Sequence, residues 1–315
     1  MLGPFIIGIV LLIAFFTWEV IGAKHPMLPG RTFSKAKRTM ILILLITFLS
    51  GANFFVMLLF WPTQIYNVYG NDRIGIGIRS LPIGFGIIFG AVLALVAIPV
   101  TKGRIREIMI FATALMTAGT GAMVVARPDN INVVYGIVTI ASLGVGAVII
   151  PCSIIAQIIC PDDLIATITA ITLAIRYVGG AIGFTIYYNV FYQKLTVLLE
   201  ENVAGAVVIG QLQYVEGLPS DPSYVTALVE AIGEARYADF ERLANSAAEF
   251  SLVALQYTPQ EFKDTIVAAT QENFAMAYQW PYYISIAFGG ACFIMSIFLG
   301  DIKPFLDEHI AAVVE

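Results

Sequence analysis

The chain is 315 residues long, with 59% apolar and 12% charged residues and a formal net charge of −5. Soluble domains carry roughly 45–50% apolar and 25% charged residues, so this composition excludes an ordinary water-soluble fold. Twelve of the twenty-two acids fall between Tyr192 and Pro281, so the negative charge belongs to one segment and does not mark the whole surface as acidic. Nucleic acid is not an expected partner.

Apolar segments of about 20 residues, the length that crosses ~30 Å of hydrocarbon as a helix, alternate with polar, Gly- or Pro-marked breaks. In chain order the expected spans are Leu2 to Thr17, Met40 to Phe60, Ile76 to Val100, Ile108 to Val125, Val133 to Ile159, Leu164 to Phe191 and Tyr282 to Leu299. The fold class that follows is an all-α polytopic membrane protein of about seven transmembrane helices. The first segment lacks a basic region after Met1 and ends at Trp18-Glu19 without a small-residue cleavage site, so it reads as a span and not as a signal peptide.

Lys24, Arg31, Lys35, Lys37 and Arg38 lie between the first two spans, and Lys102, Arg104 and Arg106 between the third and fourth. Both loops fall on one side by parity, and the positive-inside rule makes that side cytoplasmic. The opposite short loops carry only Arg73 and Arg127, with Arg79 at a boundary. Residues 1–38 therefore read as a helix plus cytoplasmic loop, 39–192 as five spans, 193–280 as an extracellular or luminal loop, and 281–315 as a final span and cytoplasmic tail. Within the long loop, Asp221-Pro222 offers an N-cap with Pro at N1, and Thr258-Pro259-Gln260-Glu261 matches a capping box.

His25 and His309 lie outside the spans and far apart in sequence, and Cys152, Cys160 and Cys292 lack metal-ligand spacing. No zincin, P-loop, C-x-x-C or nucleophile-elbow pattern is present. Neither an enzyme nor a cofactor is expected. The residue that asks most insistently for a function is Arg176, about midway along the sixth span, where insertion of Arg costs roughly 2.5–3.5 kcal/mol. Thr169, Thr172, Arg176, Gly180, Gly183 and Tyr187 recur every three or four residues and share one helix face. No Asp or Glu lies mid-span to neutralise the arginine.

Weaker polar stripes are Thr47, Ser50, Asn53 and Gln64 in and beyond the second span, and Ser142, Gly146, Ser153 and Gln157 in the fifth. Each fits either a cavity wall or hydrogen bonds between neighbouring helices. Gly179 and Gly183, like Gly86 and Gly90, allow close backbone approach, and Pro151 interrupts the fifth span's hydrogen bonding.

Phe16-Thr17-Trp18-Glu19-Val20, followed by Lys24-His25-Pro26-Met27-Leu28-Pro29, resembles the junction after the eighth helix of fourteen-helix major facilitator superfamily proteins. The fungal branch of trichothecene-efflux-pump-like and siderophore transporters is the most similar. The resemblance continues through Ser50-Gly51-Ala52-Asn53-Phe54-Phe55, Trp61-Pro62-Thr63-Gln64-Ile65-Tyr66 and Leu81-Pro82-Ile83-Gly84-Phe85-Gly86. It implies that the seven spans correspond to helices 8 to 14. Lys102-Gly103-Arg104-Ile105-Arg106 is similar to the basic end of the cytoplasmic gating motif, although Val100 stands where that motif carries Asp.

The resemblance further implies the C-terminal half of a proton-coupled exporter of a small apolar compound, toxin or drug, with siderophore uptake or a non-transporting fragment as alternatives. A small-molecule substrate, protons, the bilayer and an N-terminal bundle are the implied partners. The plasma membrane is the expected site, with vacuolar or vesicle membranes as alternatives. Arg176, Asn53 and Gln157 are the transport-pathway candidates, and Gly179, Gly183, Pro151, Arg104 and Arg106 the packing and gating candidates.

Overall fold

The computed structural model describes residues 2–22, 36–70, 73–101, 104–199, 259–300 and 302, all discussed below. Seven long helices and no strand occur among the described residues. They are α1 (Leu2–Thr17), α2 (Lys37–Val68), α3 (Arg73–Val100), α4 (Ile105–Ala122), α5 (Ile131–Ile159), α6 (Ile165–Leu198) and α7 (Pro259–Ile297). Six of them, α2 to α7, contain stretches long and apolar enough to cross a membrane, that of α7 being Thr270–Ile297. Helix α1 is apolar and helical as expected, but its 16 residues reach only about 24 Å. Every described side chain of α1 is exposed.

Three helices run further than the hydropathy breaks imply, α6 by continuing from Phe191 to Leu198. Helix α2 continues past Phe60 to Val68, because Trp61, Gln64, Ile65 and Val68 keep a buried face beyond the polar break. Pro62 sits in this stretch without ending it. A proline ring collides with the carbonyl four residues earlier, and here the preceding turn, Val56–Phe60, is a π-helix whose wider winding accommodates the missing N–H. Helix α7 likewise runs through Pro281 from Pro259, so the helix containing the last span begins well before Tyr282. Buried Thr270, Asn273, Phe274 and Tyr278 explain the continuation. Its start falls at the capping-box sequence, although Thr258 itself lies outside the described residues, as do Asp221-Pro222, both histidines and most of the long acidic segment.

Helix α5 is central: it packs against α3 on one side and α4 on the other, and also meets α2 and α6. Helix α2 lies along α6, and α7 closes over α2, α4 and α6. The α3–α5 contact needs glycine, since a Cβ on Gly146 would overlap the Ile87 carbonyl and one on Gly90 the Leu143 carbonyl.

Polar side chains tie α7 to the bundle. The Tyr282 hydroxyl donates to Gln64 Oε1 at 2.7 Å, and Asn67 Nδ2 donates to the Tyr278 hydroxyl at 2.8 Å. The Arg127 guanidinium also donates to the Glu272 carboxylate. Because Tyr282 and Gln64 are almost wholly buried, Tyr282→Phe leaves the Gln64 carbonyl without this donor. The expected loss is about 1 kcal/mol, at the upper side of measured interhelical bonds in membranes. Detergent-titrated unfolding of the reconstituted chain measures it, and Gln64→Leu combined with Tyr282→Phe should cost less than the two single losses summed.

Candidate functional site

Arg176 lies on the buried face of α6 and is only 6% exposed. Its Nη2 donates to the Ile149 carbonyl at 2.6 Å and to Ser153 Oγ at 3.0 Å, both on α5. Its Nε is buried without a hydrogen-bond partner among the described residues. The two acceptors flank Pro151 in the α5 sequence.

No carboxylate among the described residues pairs with the arginine. Among the described residues the ion pairs are Arg104 with Glu107 and Arg127 with Glu272, neither of which involves Arg176. A buried charge held only by dipoles bears a desolvation cost of several kcal/mol. The site therefore contains one unneutralised cation near the middle of a membrane helix, with one N–H still to be satisfied.

Two turns closer to the start of α6, Gln157 Nε2 donates to Thr169 Oγ1 at 2.8 Å, and the Thr172 hydroxyl donates to the Thr169 carbonyl at 2.9 Å. Arg176, Pro151, Ser153, Thr169, Thr172 and Gln157 thus form one polar seam between α5 and α6. Asn53 is not part of it. With its amide oriented to suit its neighbours, it donates to the Ser285 carbonyl at 3.1 Å and accepts from the Gly289 N–H at 3.3 Å, which places it in the α2–α7 contact.

Gly179 and Gly183 sit where α6 meets α2. A Cβ on Gly179 would overlap the Phe48 carbonyl, and one on Gly183 would overlap Ala52. From the other helix, a Cβ on Gly51 would overlap the Arg176 carbonyl. The close approach therefore fixes the backbone that carries the arginine. Arg104 and Arg106 are exposed at the opening of α4, apart from this seam.

Two contributors escaped the sequence reading. The Ile149 carbonyl has no side-chain signature at all. Cys152 reads as a small hydrophobe, and it lies wholly buried on α5 between Ile149 and Ser153, the residues that supply the two acceptors of Arg176. Beyond the spans, burial, and then Asp129 and Tyr135, hold the Tyr69 hydroxyl protonated well above the usual tyrosine range, with Arg79 opposing. Arg79 donates to the Tyr69 carbonyl at 2.9 Å, which ties the turn between α2 and α3.

The family model for the fungal trichothecene efflux pump (TRI12) matches residues 1–314. The chain belongs to that family. Similar family relatives include the MFS-type transporter TwmF of Talaromyces wortmannii, 27% identical over 305 residues, which are 96% of this chain and 49% of TwmF. The trichothecene efflux pump TRI12 of Fusarium sporotrichioides is 22% identical over 95% of this chain and 47% of its own length. The MFS-type efflux transporter pyiT of Pyricularia grisea is 25% identical over 95% of this chain and 44% of its own. The chain spans about half the length of these curated relatives. Family membership and six helices long and apolar enough to cross a membrane make it a multi-pass membrane protein of the major facilitator type.

Proposed function

We propose that this chain forms the C-terminal half of an efflux transporter that moves a small, largely apolar compound, toxin or drug by alternating access. The observation that carries the reading is Arg176: a buried cation without an acid partner among the described residues, on a seam of hydroxyls and an amide, in a chain with relatives named as efflux pumps. Intramembrane charges are retained for substrate, ion or coupling roles far more often than for stability. In this reading Arg176 interacts with charge in the central cavity, and Gln157 supplies hydrogen bonding to the substrate. Asn53 serves the same purpose only when α7 moves away from it. Gly179 and Gly183 permit sliding of α6 along α2.

Proton coupling is part of the proposal, with the plasma membrane as its site. Rocking-bundle transport requires a second bundle to form the opposite wall of the cavity, which accords with a chain matching about half of each relative. Proteoliposomes provide the test. This chain alone, given a pH gradient and a labelled trichothecene, is expected to show no gradient-driven movement. Co-reconstitution with the remaining half of the Talaromyces relative is expected to produce movement abolished by a protonophore. Concentrative transport by the chain alone overturns the two-bundle reading. Transport by the pair that a protonophore leaves unchanged overturns the coupling.

A further inference from the structure

Helix α7 crosses the bundle in two separately fastened arms. The leading arm, up to Tyr282, is held by the Tyr282–Gln64 and Asn67–Tyr278 hydrogen bonds. The trailing arm, from Gly290 onward, is tied to α4 where Thr113 Oγ1 and Ser296 Oγ lie 3.2 Å apart. Both of those hydroxyls also donate to carbonyls of their own helices, so parting them leaves neither without a partner.

Between the arms the Asn53 amide reaches two backbone groups of α7, the Ser285 carbonyl at 3.1 Å and the Gly289 N–H at 3.3 Å. These groups stand four residues apart and are each other's partners in the helical ladder. Asn53 therefore duplicates one rung: when that turn opens, both groups keep a hydrogen bond. Elsewhere in a span, opening a turn strands a carbonyl and an N–H in hydrocarbon. Two turns earlier Pro281 already removes a rung, and Gly289-Gly290 is the least restricted pair of residues in the span. A Cβ on Gly289 would overlap Thr117 Oγ1 and the Asn53 amide, so glycine is what lets Asn53 reach the ladder.

Room for a bend lies on one side. An open groove of about 400 Å³ separates α4 from α7, lined by Thr117 and Gly121 of α4 and by Ile286, Gly290 and Phe293 of α7. No atom lies within 4 Å of a Cβ placed on Gly290. The brace, the glycines and the groove meet at one level of α7.

We propose that α7 hinges at Ser285 to Gly290, its trailing arm swinging into the α4–α7 groove while Asn53 holds the opened turn. The hinge is independent of whether the chain moves a solute.

Double electron–electron resonance on the chain in lipid nanodiscs tests this. The three native cysteines are buried, so spin labels go to cysteines introduced at exposed positions. Labels at Phe298 and Val100 report the trailing arm against α3, and labels at Tyr283 and Ile78 report the leading arm. The trailing pair is expected to show two distances about 4 Å apart, the displacement that a kink of about 20° gives an arm of about 12 Å. The minor distance should hold about a tenth of the molecules. The leading pair should show one distance. Asn53→Leu, which leaves the opened turn unpartnered, should cut the minor population at least about threefold. Gly290→Leu, which fills the groove, should do the same, and it decides the matter if Asn53→Leu misfolds. An unchanged leading-pair distance certifies that a variant is folded. A single distance for the trailing pair in the unmodified chain, or a minor population that a folded variant leaves unchanged, overturns the proposal.

Discussion

Gly179→Val is expected to destabilise the bundle by about 3 kcal/mol or more, the upper range for forcing extra side-chain volume into close packing. The first added carbon already overlaps the Phe48 carbonyl, and the obstructing atom is helix backbone, which cannot rotate aside. Relief requires α6 to separate from α2 along their shared length. That separation also exposes Gly51 and Gly183, whose own close contacts depend on the same spacing. Gly290→Val provides the control, because nothing lies within 4 Å of a Cβ there, and its effect should be within about 0.5 kcal/mol on packing grounds. Unfolding in mixed micelles, followed by far-ultraviolet circular dichroism, measures both. A Gly179→Val chain as stable as the Gly290→Val chain would show that α2 and α6 are not packed this closely.

Arg176→Met is expected to separate stability from transport. Substitution removes a buried charge that has no acid partner among the described residues and inserts an unbranched apolar side chain. It strands nothing: the Ile149 carbonyl retains access to its helical partner, and the Ser153 hydroxyl is able to donate to that same carbonyl. Replacing buried charges with apolar residues is commonly neutral or stabilising by about 1–4 kcal/mol. The expected unfolding free energy is therefore equal to or above that of the unmodified chain. Transport in the two-bundle assembly should fall at least tenfold, while Arg176→Lys, which keeps the charge but loses the fork, should retain an intermediate rate. A marked loss of stability in Arg176→Met would instead make the arginine a structural tie between α5 and α6.

Much of the fold is legible in the sequence because hydrocarbon imposes a length. The spans at α3, α4 and α5 are placed within a few residues by hydropathy alone, as is the start of α6, and Arg176 is identified by its cost in that setting. The misplaced boundaries have a common cause. Hydropathy marks where lipid contact ends, whereas a helix continues as long as one face stays buried, as Trp61 to Val68 and Thr270 to Tyr278 do. Pro62 and Pro281 look like stops in sequence, but a π turn precedes the first and the surrounding helix contains the second.

The site is less legible. Spacing places Thr169, Thr172 and Arg176 on one face correctly, since helical periodicity is local. It does not reveal which neighbouring helix that face meets, so the pairing with Ser153 and the Ile149 carbonyl emerges only from the packing. Asn53 and Gln157 are both uncharged amides within spans, the first midway along α2 and the second two residues from the end of α5. They also face different neighbours: one is turned toward α7 and the other toward α6. The four-residue spacing of Gly179 and Gly183 predicts close packing, and the packing supplies their partner, α2, through Phe48 and Ala52.

The central claim is that the unneutralised arginine between α5 and α6 works in transport. Its most direct measurement is the initial rate of pH-gradient-driven trichothecene movement in the two-bundle proteoliposomes, compared between Arg176 and Arg176→Met at equal reconstituted protein. A rate reduced at least tenfold, with unfolding stability unchanged or increased, is the predicted result. An unreduced rate in the Arg176→Met assembly would contradict it.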